Sequence, residues 1–222
     1  MKNRSLINWF GLAGIIQLLS YTAAVIFSPL AFSGYDWMSQ AVSDLSADSA
    51  PSRQLWDQLS ALYGTCSIIC MVCVVLYISQ NKTGSRLFRA GVYLYAVMTF
   101  ISKVGYSMFP LSDSGKDITT VNEVIHMVVT AAVVLMSIAS LVILMIAGFR
   151  KGGIRSISLF AAVALAMMFV GAIGMKAVPP EYFGIVERFS VFAAVGFTAV
   201  LGTYLFMGDK LLVSTAPAVS AA

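Results

Sequence analysis

The sequence predicts an all-α, polytopic integral membrane protein with six transmembrane helices, and three observations support this fold class. Hydrophobic residues make up 59% of the 222 residues and charged residues only 11%, whereas soluble domains have about 45–50% and 25%. Six apolar segments each reach the roughly 20 residues that a bilayer crossing requires. Strands of alternating polarity are absent, and a lipid-exposed backbone must then be helical to satisfy its own N–H and C=O groups.

The predicted helices follow one another with short connections, except after the first. They cover residues 6–30, 59–79, 87–109, 121–149, 154–175 and 184–207. The first has the basic start of a signal peptide, but its apolar run is longer than the usual 7–15 residues, which predicts a retained crossing. Residues 1–210 are therefore expected to form a single membrane domain, and residues 211–222 a flexible tail.

The distribution of charge predicts how the helices are oriented. The N-terminus, the second and fourth loops and the tail contain nine of the fourteen basic residues but only one acidic residue, Asp209. The other nine of the ten acidic residues fall on the opposite side. Basic loops stay in the cytoplasm. Both termini are therefore expected to be cytoplasmic, in a multi-pass protein of the cell (inner) membrane.

The first outer loop is longer than the other connections. A short helix is predicted within residues 35–57, because Trp37, Ala41 and Leu45 recur at a spacing of four residues, as on one helical face. Ser49, before Ala50-Pro51, looks like the start of the second crossing, since Ser caps helices and Pro is tolerated in the first turn.

Ionisable residues near the outer ends of the predicted helices are the candidate site. Such residues are costly within a bilayer and require partners. We expect a ligand-binding cavity on the outward side, among the third, fourth and sixth helices and the first loop. Its candidate residues are Ser43, Asp44, Lys103, His126, Glu187 and Arg188, with His126, Glu123 and Asp44 as candidate catalytic residues.

Each of these residues also has a simpler interpretation. Lys103 either extends to the headgroups or forms an ion pair with Glu123 or Glu187. His126 either packs with a hydrogen bond to Glu123, binds a proton or a headgroup, or acts as a base. Arg188 either pairs with Glu187 at a helix start or binds a lipid phosphate.

Several classes of chemistry are not supported by the sequence. Ser43, Asp44 and His126 lack the spacing of a known hydrolase triad, and one histidine is too few for a catalytic zinc site. No nucleotide-binding or haem motif is present, so neither metal nor cofactor is expected. The small net charge of +4 is explained by membrane topology and does not indicate a nucleic acid partner.

Four short motifs resemble those of a bacterial and archaeal six-helix membrane family catalogued as domain of unknown function 998. They are "VSDLSADSAP" after the first helix, "GYSMFP" closing the third, a lone histidine early in the fourth and "ER" entering the sixth. The resemblance implies motif positions at Ser43, Asp44, Leu45, Gly105, Phe109, Pro110, His126, Glu187 and Arg188. The first loop is also similar, over a short stretch, to the Frag1/DRAM/Sfk1 membrane proteins, which are associated with lipid handling.

The leading functional hypothesis is a binding or regulatory protein for a lipid headgroup or a small polar ligand. The alternative is an intramembrane lipid-modifying enzyme, a hydrolase or transferase, that uses His126. A third hypothesis is a small transporter, although transporters more often contain repeats or broken helices. Membrane lipids are the expected partners, and the sequence predicts no oligomeric state.

Overall fold

Six long helices make up most of the part of the chain that the structure describes. The structure is a computed structural model, and it describes residues 4–112, 120–150 and 153–208, in which no strand occurs. The helices are α1 (Leu6–Ala31), α2 (Arg53–Gln80), α3 (Arg86–Met108), α4 (Val121–Phe149), α5 (Arg155–Ala177) and α6 (Pro180–Met207). Each is long and apolar enough to cross a membrane. The predicted all-α fold with six transmembrane helices is confirmed, and the predicted tail lies outside the described residues.

Local sequence features explain where several helices begin. Ser85 caps α3 by accepting a hydrogen bond from the backbone N–H of Phe88 at 3.1 Å. Thr120 and Glu123 form a reciprocal capping box at the start of α4. The first turn of α6 is a 3₁₀ turn, Pro180–Tyr182, which suits a proline because its missing N–H would have no helical partner there.

Helix α6 packs against α1, α2 and α5, and the crossing of α1 with α6 depends on two glycines. A Cβ atom added to Gly11 would lie 2.3 Å from the carbonyl oxygen of Gly202, and one added to Gly202 would lie 2.5 Å from that of Gly11. The two backbones therefore touch. Small residues at such crossings are typical of membrane helices, which gain stability from close packing rather than from the hydrophobic effect.

Both described ends of the chain lie at the same end of the bundle. The Asn8 side chain donates to the carbonyl oxygen of Leu205 at 2.8 Å, and the Arg4 guanidinium lies 3.9 Å from the centroid of the Phe206 ring. We call this the termini end. The opposite end, which carries the first loop, is the loop end.

The first loop differs from the helix predicted within residues 35–57. Its residues form turns, including one 3₁₀ turn at Ser43–Ser46, and α2 begins at Arg53 rather than near Ser49. The helical prediction is wrong for this segment because its polar groups form hydrogen bonds with other residues of the loop and with α6. The Ser52 hydroxyl, for example, donates to the carbonyl oxygen of Leu45 at 2.9 Å instead of capping α2.

Two aliphatic side chains of this loop are inserted into the bundle. Val42 is 2% exposed and Leu45 is 0% exposed. They pack with side chains of α1, α2 and α6 in a cluster that we call the plug, formed mainly by Val42, Leu45, Tyr21, Trp56, Tyr63 and Val195. The i, i+3 spacing of Val42 and Leu45 fits the 3₁₀ geometry, in which such residues share a face.

We predict that Gly202→Ala destabilises the protein, because the new methyl group meets the backbone of α1. Overpacking of this kind costs about 1–3 kcal/mol, and thermal unfolding in detergent should show a lower Tm. The matched control is Gly64→Ala in α2, where an added Cβ meets nothing within 4 Å. This control should match the wild type or be stabilised by up to about 1 kcal/mol. Equal Tm values for Gly202→Ala and wild type would contradict the close crossing.

Candidate functional site

Arg188, on the first turns of α6, holds the backbone of the first loop. Its Nη1 atom donates to the carbonyl oxygens of Gly184 at 2.7 Å and Gln40 at 3.1 Å. Its Nη2 atom donates to the Tyr35 hydroxyl at 2.8 Å. That hydroxyl in turn donates to the carbonyl oxygen of Ala41 at 2.8 Å. Arg188 therefore connects α6 to several consecutive parts of the loop.

Tyr35 keeps its proton over the whole physiological pH range. Burial raises the pKa of Tyr35 to about 12, although the nearby charge of Arg188 acts in the opposite direction. The hydroxyl can therefore accept from Arg188 and still donate to the loop backbone. A group whose pKa is raised by folding contributes stability at lower pH, so this contribution is lost only as the pH rises through about 12.

Glu187 and Asp44 both accept hydrogen bonds from the same stretch of loop backbone. Glu187 Oε2 accepts from the N–H of Val42 at 3.0 Å, and Asp44 Oδ2 accepts from the N–H of Ala41 at 3.1 Å. The two carboxylates are close enough to repel each other. Asp44 thus stabilises a turn of its own loop, and Glu187 joins that turn to α6.

A glycine that the sequence analysis missed allows the loop to approach α6. A Cβ atom on Gly184 would lie 2.3 Å from the carbonyl oxygen of Gln40 and 2.5 Å from that of Trp37. Any side chain here would push the loop off the helix. Nothing in a single sequence distinguishes this glycine from the many others in the chain.

His126 holds the third loop, between α3 and α4, rather than the first. Its Nδ1 atom is 2.8 Å from the carbonyl oxygen of Phe109, and its ring lies 4.9 Å from that of Tyr106. The predicted hydrogen bond from His126 to Glu123 is not among these contacts, because a Glu123 carboxylate oxygen accepts from the N–H of Thr120 at 2.8 Å. The orienting group of His126 is a backbone carbonyl.

The two loops are joined to each other by backbone hydrogen bonds. The N–H of Asp48 donates to the carbonyl oxygen of Leu111 at 2.9 Å, and that of Ser49 donates to Ser112 at 3.1 Å. Together, residues 32–52 and 109–112 form a continuous cover of the loop end, which we call the cap. Arg188, Glu187 and His126 attach the cap to α6 and α4.

Beneath the plug lies a small cavity of about 20 Å³ between α1, α2, α3 and α6. We call it the chamber. Its lining includes the ammonium-bearing Lys103 and six uncharged polar side chains: Gln17, Tyr63, Ser67, Thr99, Ser102 and Thr198. Tyr63 and Val195 belong to both the plug and the chamber wall, so the plug borders the chamber.

Lys103 does not form the ion pair that was one of the two arrangements suggested by the sequence. Its Nζ atom lies 3.1 Å from the centroid of the Tyr63 ring, a cation–π contact with α2. Within the described residues, no carboxylate lies within 4.0 Å of this ammonium group. The expected ion pair with Glu123 or Glu187 is therefore not formed, since Glu187 binds the backbone of Val42 instead.

Most of the other polar groups of the chamber are satisfied by the helices themselves. Gln17 is fully buried and donates to Gly14 at 3.0 Å and Val195 at 2.8 Å. Its amide oxygen accepts from Ser67 at 3.1 Å. The hydroxyls of Thr99 and Thr198 donate to carbonyl oxygens one turn earlier in their own helices. These groups hold the helices together.

Three donors of the chamber have no such hydrogen bonds. The Ser102 and Tyr63 hydroxyls and the Lys103 ammonium group have no hydrogen-bond partner in the part of the chain that the structure describes, and all three residues line the cavity. Groups of three or more potential metal ligands are absent from the same residues. The site can thus donate hydrogen bonds and contribute positive charge, but it offers no metal-binding cluster.

The predicted site residues are divided between two layers. The cap contains Asp44, Glu187 and Arg188, with His126 attached to its other part, and Ser43 starts the 3₁₀ turn of the same loop. Lys103 lies in the chamber. Among the site residues that were not predicted from the sequence, only Gln17 could have been recognised there, because an amide within an apolar segment requires hydrogen-bond partners.

The fold and the site together define a polytopic membrane protein with a capped, polar chamber inside a six-helix bundle. A family model described as "Protein of unknown function (DUF998)" matches residues 15–204. The chain therefore belongs to this family, as its motifs suggested. A search of curated proteins gave no match, and neither did a search of solved structures.

We predict that Glu187→Leu releases the loop without unfolding the bundle, because Val42 loses its acceptor. A hydrogen bond to a charged group contributes about 1.5–3 kcal/mol, so amide hydrogen exchange in residues 40–46 should become at least about tenfold faster. Mass spectrometry of the exchanged peptides measures this. The matched control is Glu181→Leu, at an exposed position of the same end, which should leave exchange unchanged. Unchanged exchange in Glu187→Leu would contradict the attachment.

Proposed function

We propose that the protein resides in the cell (inner) membrane with both termini in the cytoplasm and the cap facing outward. The distribution of charge supports this orientation, because the basic residues of the termini end include Arg4, Lys82, Arg86, Arg89 and Arg155, as expected for a cytoplasmic face. The described acidic residues lie in the first loop or near the loop end.

Cysteine labelling tests this orientation. In a variant with Cys66, Cys70 and Cys73 replaced by alanine, Ser49→Cys should react with a membrane-impermeant maleimide on intact cells, because Ser49 is exposed in the cap. Asn81→Cys, exposed at the termini end, should react only after permeabilisation. The reverse pattern would overturn the proposed orientation and leave the fold unaffected.

We further propose that the protein binds a lipid headgroup or a small polar ligand in the chamber. The single observation that supports this function is the set of uncommitted donors, on Ser102, Tyr63 and Lys103, facing a cavity inside a membrane bundle. A charge within a bilayer costs about 2.5–3.5 kcal/mol on insertion scales, and such residues commonly mark a functional site. In this proposal Lys103 contacts the ligand, whereas Asp44, Glu187, Arg188 and His126 position the cap above it.

The enzymatic alternative is supported by one observation. Because Nδ1 of His126 faces the carbonyl of Phe109, Nδ1 carries the proton in the neutral ring and Nε2 is the basic nitrogen. Against this alternative, Asp44 accepts a hydrogen bond from the N–H of Ala41 and Glu123 accepts one from the N–H of Thr120, and within the described residues neither is hydrogen-bonded to His126. Neither carboxylate is thereby arranged to orient the histidine, so binding is the better supported function.

Filling the chamber tests the binding function. We predict that the wild-type protein, extracted in mild detergent, carries a bound molecule detectable by native mass spectrometry, and that Ser102→Leu loses it because leucine occupies the cavity. Thr65→Leu, at an exposed position on α2, should retain it. A molecule kept equally by both variants would contradict binding in the chamber. If labelled lipids are instead converted to products, and His126→Ala stops the conversion, the enzymatic alternative replaces the proposal.

A further inference from the structure

The polar groups of the chamber determine the charge of the ligand that it can hold. Apart from Lys103, the polar side chains of its wall are uncharged. Tyr63 holds the ammonium group in place through its ring, but a cation–π contact does not neutralise a charge. Glu187 is not part of the chamber lining, and its carboxylate accepts from the N–H of Val42 in the cap. The chamber is therefore electropositive and selects for an anionic group.

Two of the uncommitted donors, on Lys103 and Ser102, fit an anion that has more than one acceptor oxygen. The ammonium group of Lys103 can donate three hydrogen bonds and the hydroxyl of Ser102 one. Hydrogen bonds in which both partners are charged are roughly twice as strong as neutral ones. An oxyanion with several oxygens can engage both donors at once.

The depth of Lys103 agrees with a ligand that comes from the membrane surface. Lys103 lies five residues before Met108, the last residue of α3. At 1.5 Å per residue, this is roughly 7.5 Å below the end of the helix. The phosphates of a bilayer lie close to the ends of its spanning helices, so a headgroup needs only a small inward displacement to reach the ammonium group.

The size of the chamber limits how much of the ligand enters. A volume of about 20 Å³ holds little more than one water-sized group. Only one or two oxygens of an oxyanion can therefore enter, and the remainder of the ligand stays at the mouth. A phosphate group that projects from a larger molecule meets this requirement.

We propose that the chamber binds a phosphate group, one or two of whose oxygens accept hydrogen bonds from Lys103 Nζ and Ser102 Oγ. This inference rests on the proposed binding function and specifies the chemical class of the ligand. The phosphate belongs either to a lipid headgroup or to free inorganic phosphate, and the two sources are separated by experiment.

The test compares two lipids that differ only in the phosphate. The full chain, purified and delipidated in a neutral detergent, is titrated with dihexanoyl phosphatidic acid, with dihexanoylglycerol and with inorganic phosphate, and affinity is measured from the shift in Tm. The wild type should bind phosphatidic acid and not the uncharged lipid. Lys103→Met should weaken this binding at least tenfold, and Ser102→Ala should weaken it severalfold.

A control variant separates the chamber from the general charge of the loop end. Lys176, in the last turn of α5, is exposed at the same end of the bundle, so Lys176→Met removes one positive charge outside the chamber and should bind as the wild type does. Because methionine is apolar and nearly as long as lysine, Lys103→Met is expected to fold. Ser102→Ala provides a second, milder variant in the same site.

Each outcome has a defined meaning. If the protein binds inorganic phosphate but not phosphatidic acid, and this binding depends on Lys103, the proposal is supported and free phosphate is the source. Equal binding of phosphatidic acid by Lys103→Met and wild type overturns the phosphate inference. Equal binding of the charged and uncharged lipids also overturns it, while the proposed binding function stands. If the wild type binds none of the three probes, the phosphate inference is wrong, and the native mass spectrum decides the binding function separately.

Discussion

The first loop is held on α6 by two adjacent side chains, and the arrangement of the loop end depends on them. A loop backbone carries donors and acceptors, and both must be satisfied when the loop packs against an apolar bundle. Glu187 supplies an acceptor for Val42, and Arg188 supplies donors for Gln40. With its backbone satisfied in this way, the loop can bury Leu45 in the plug. The plug in turn borders the chamber, and the third loop pairs with the anchored first loop.

The sequence was sufficient to predict the parts of the fold that depend on composition and spacing. Apolar segments of adequate length have one solution in a bilayer, so the six helices were predicted within a few residues of their observed bounds. Asp44, Glu187 and Arg188 were recognised because polar groups near a membrane require partners. The first-loop partners of Glu187 and Arg188 were not predictable, since that loop is distant from them in sequence. The loop itself was mistaken for a helix because Trp37, Ala41 and Leu45 have helical spacing, a pattern that takes no account of hydrogen bonds to α6.

Lys103 is the residue whose environment the sequence described least well, and its energetics explain why the chamber matters. A lysine charge at the centre of a bilayer costs about 2.5–3.5 kcal/mol on insertion scales, and less toward the surface, and a cation–π contact returns about 0.5–2 kcal/mol. The ring of Tyr63 offsets part of this cost without neutralising the charge. The aromatic partner was missed because a tyrosine in an apolar helix is usually a packing residue. A group that remains incompletely stabilised by the protein is better suited to binding than one already neutralised by a carboxylate, as the ion pair with Glu187 would have been.

The position of the plug restricts how a ligand reaches Lys103. Val42 and Leu45 are fully buried above the chamber, so a ligand arriving from the aqueous side would have to displace the anchored first loop. Tyr63 and Lys103, in contrast, are only partly buried, and they face each other between α2 and α3. These two side chains therefore form a partly exposed side of the chamber between α2 and α3, whose outer surfaces contact lipid in a membrane. A route between them requires no movement of the cap, and it favours a phosphate that arrives on a lipid over one that arrives from solution.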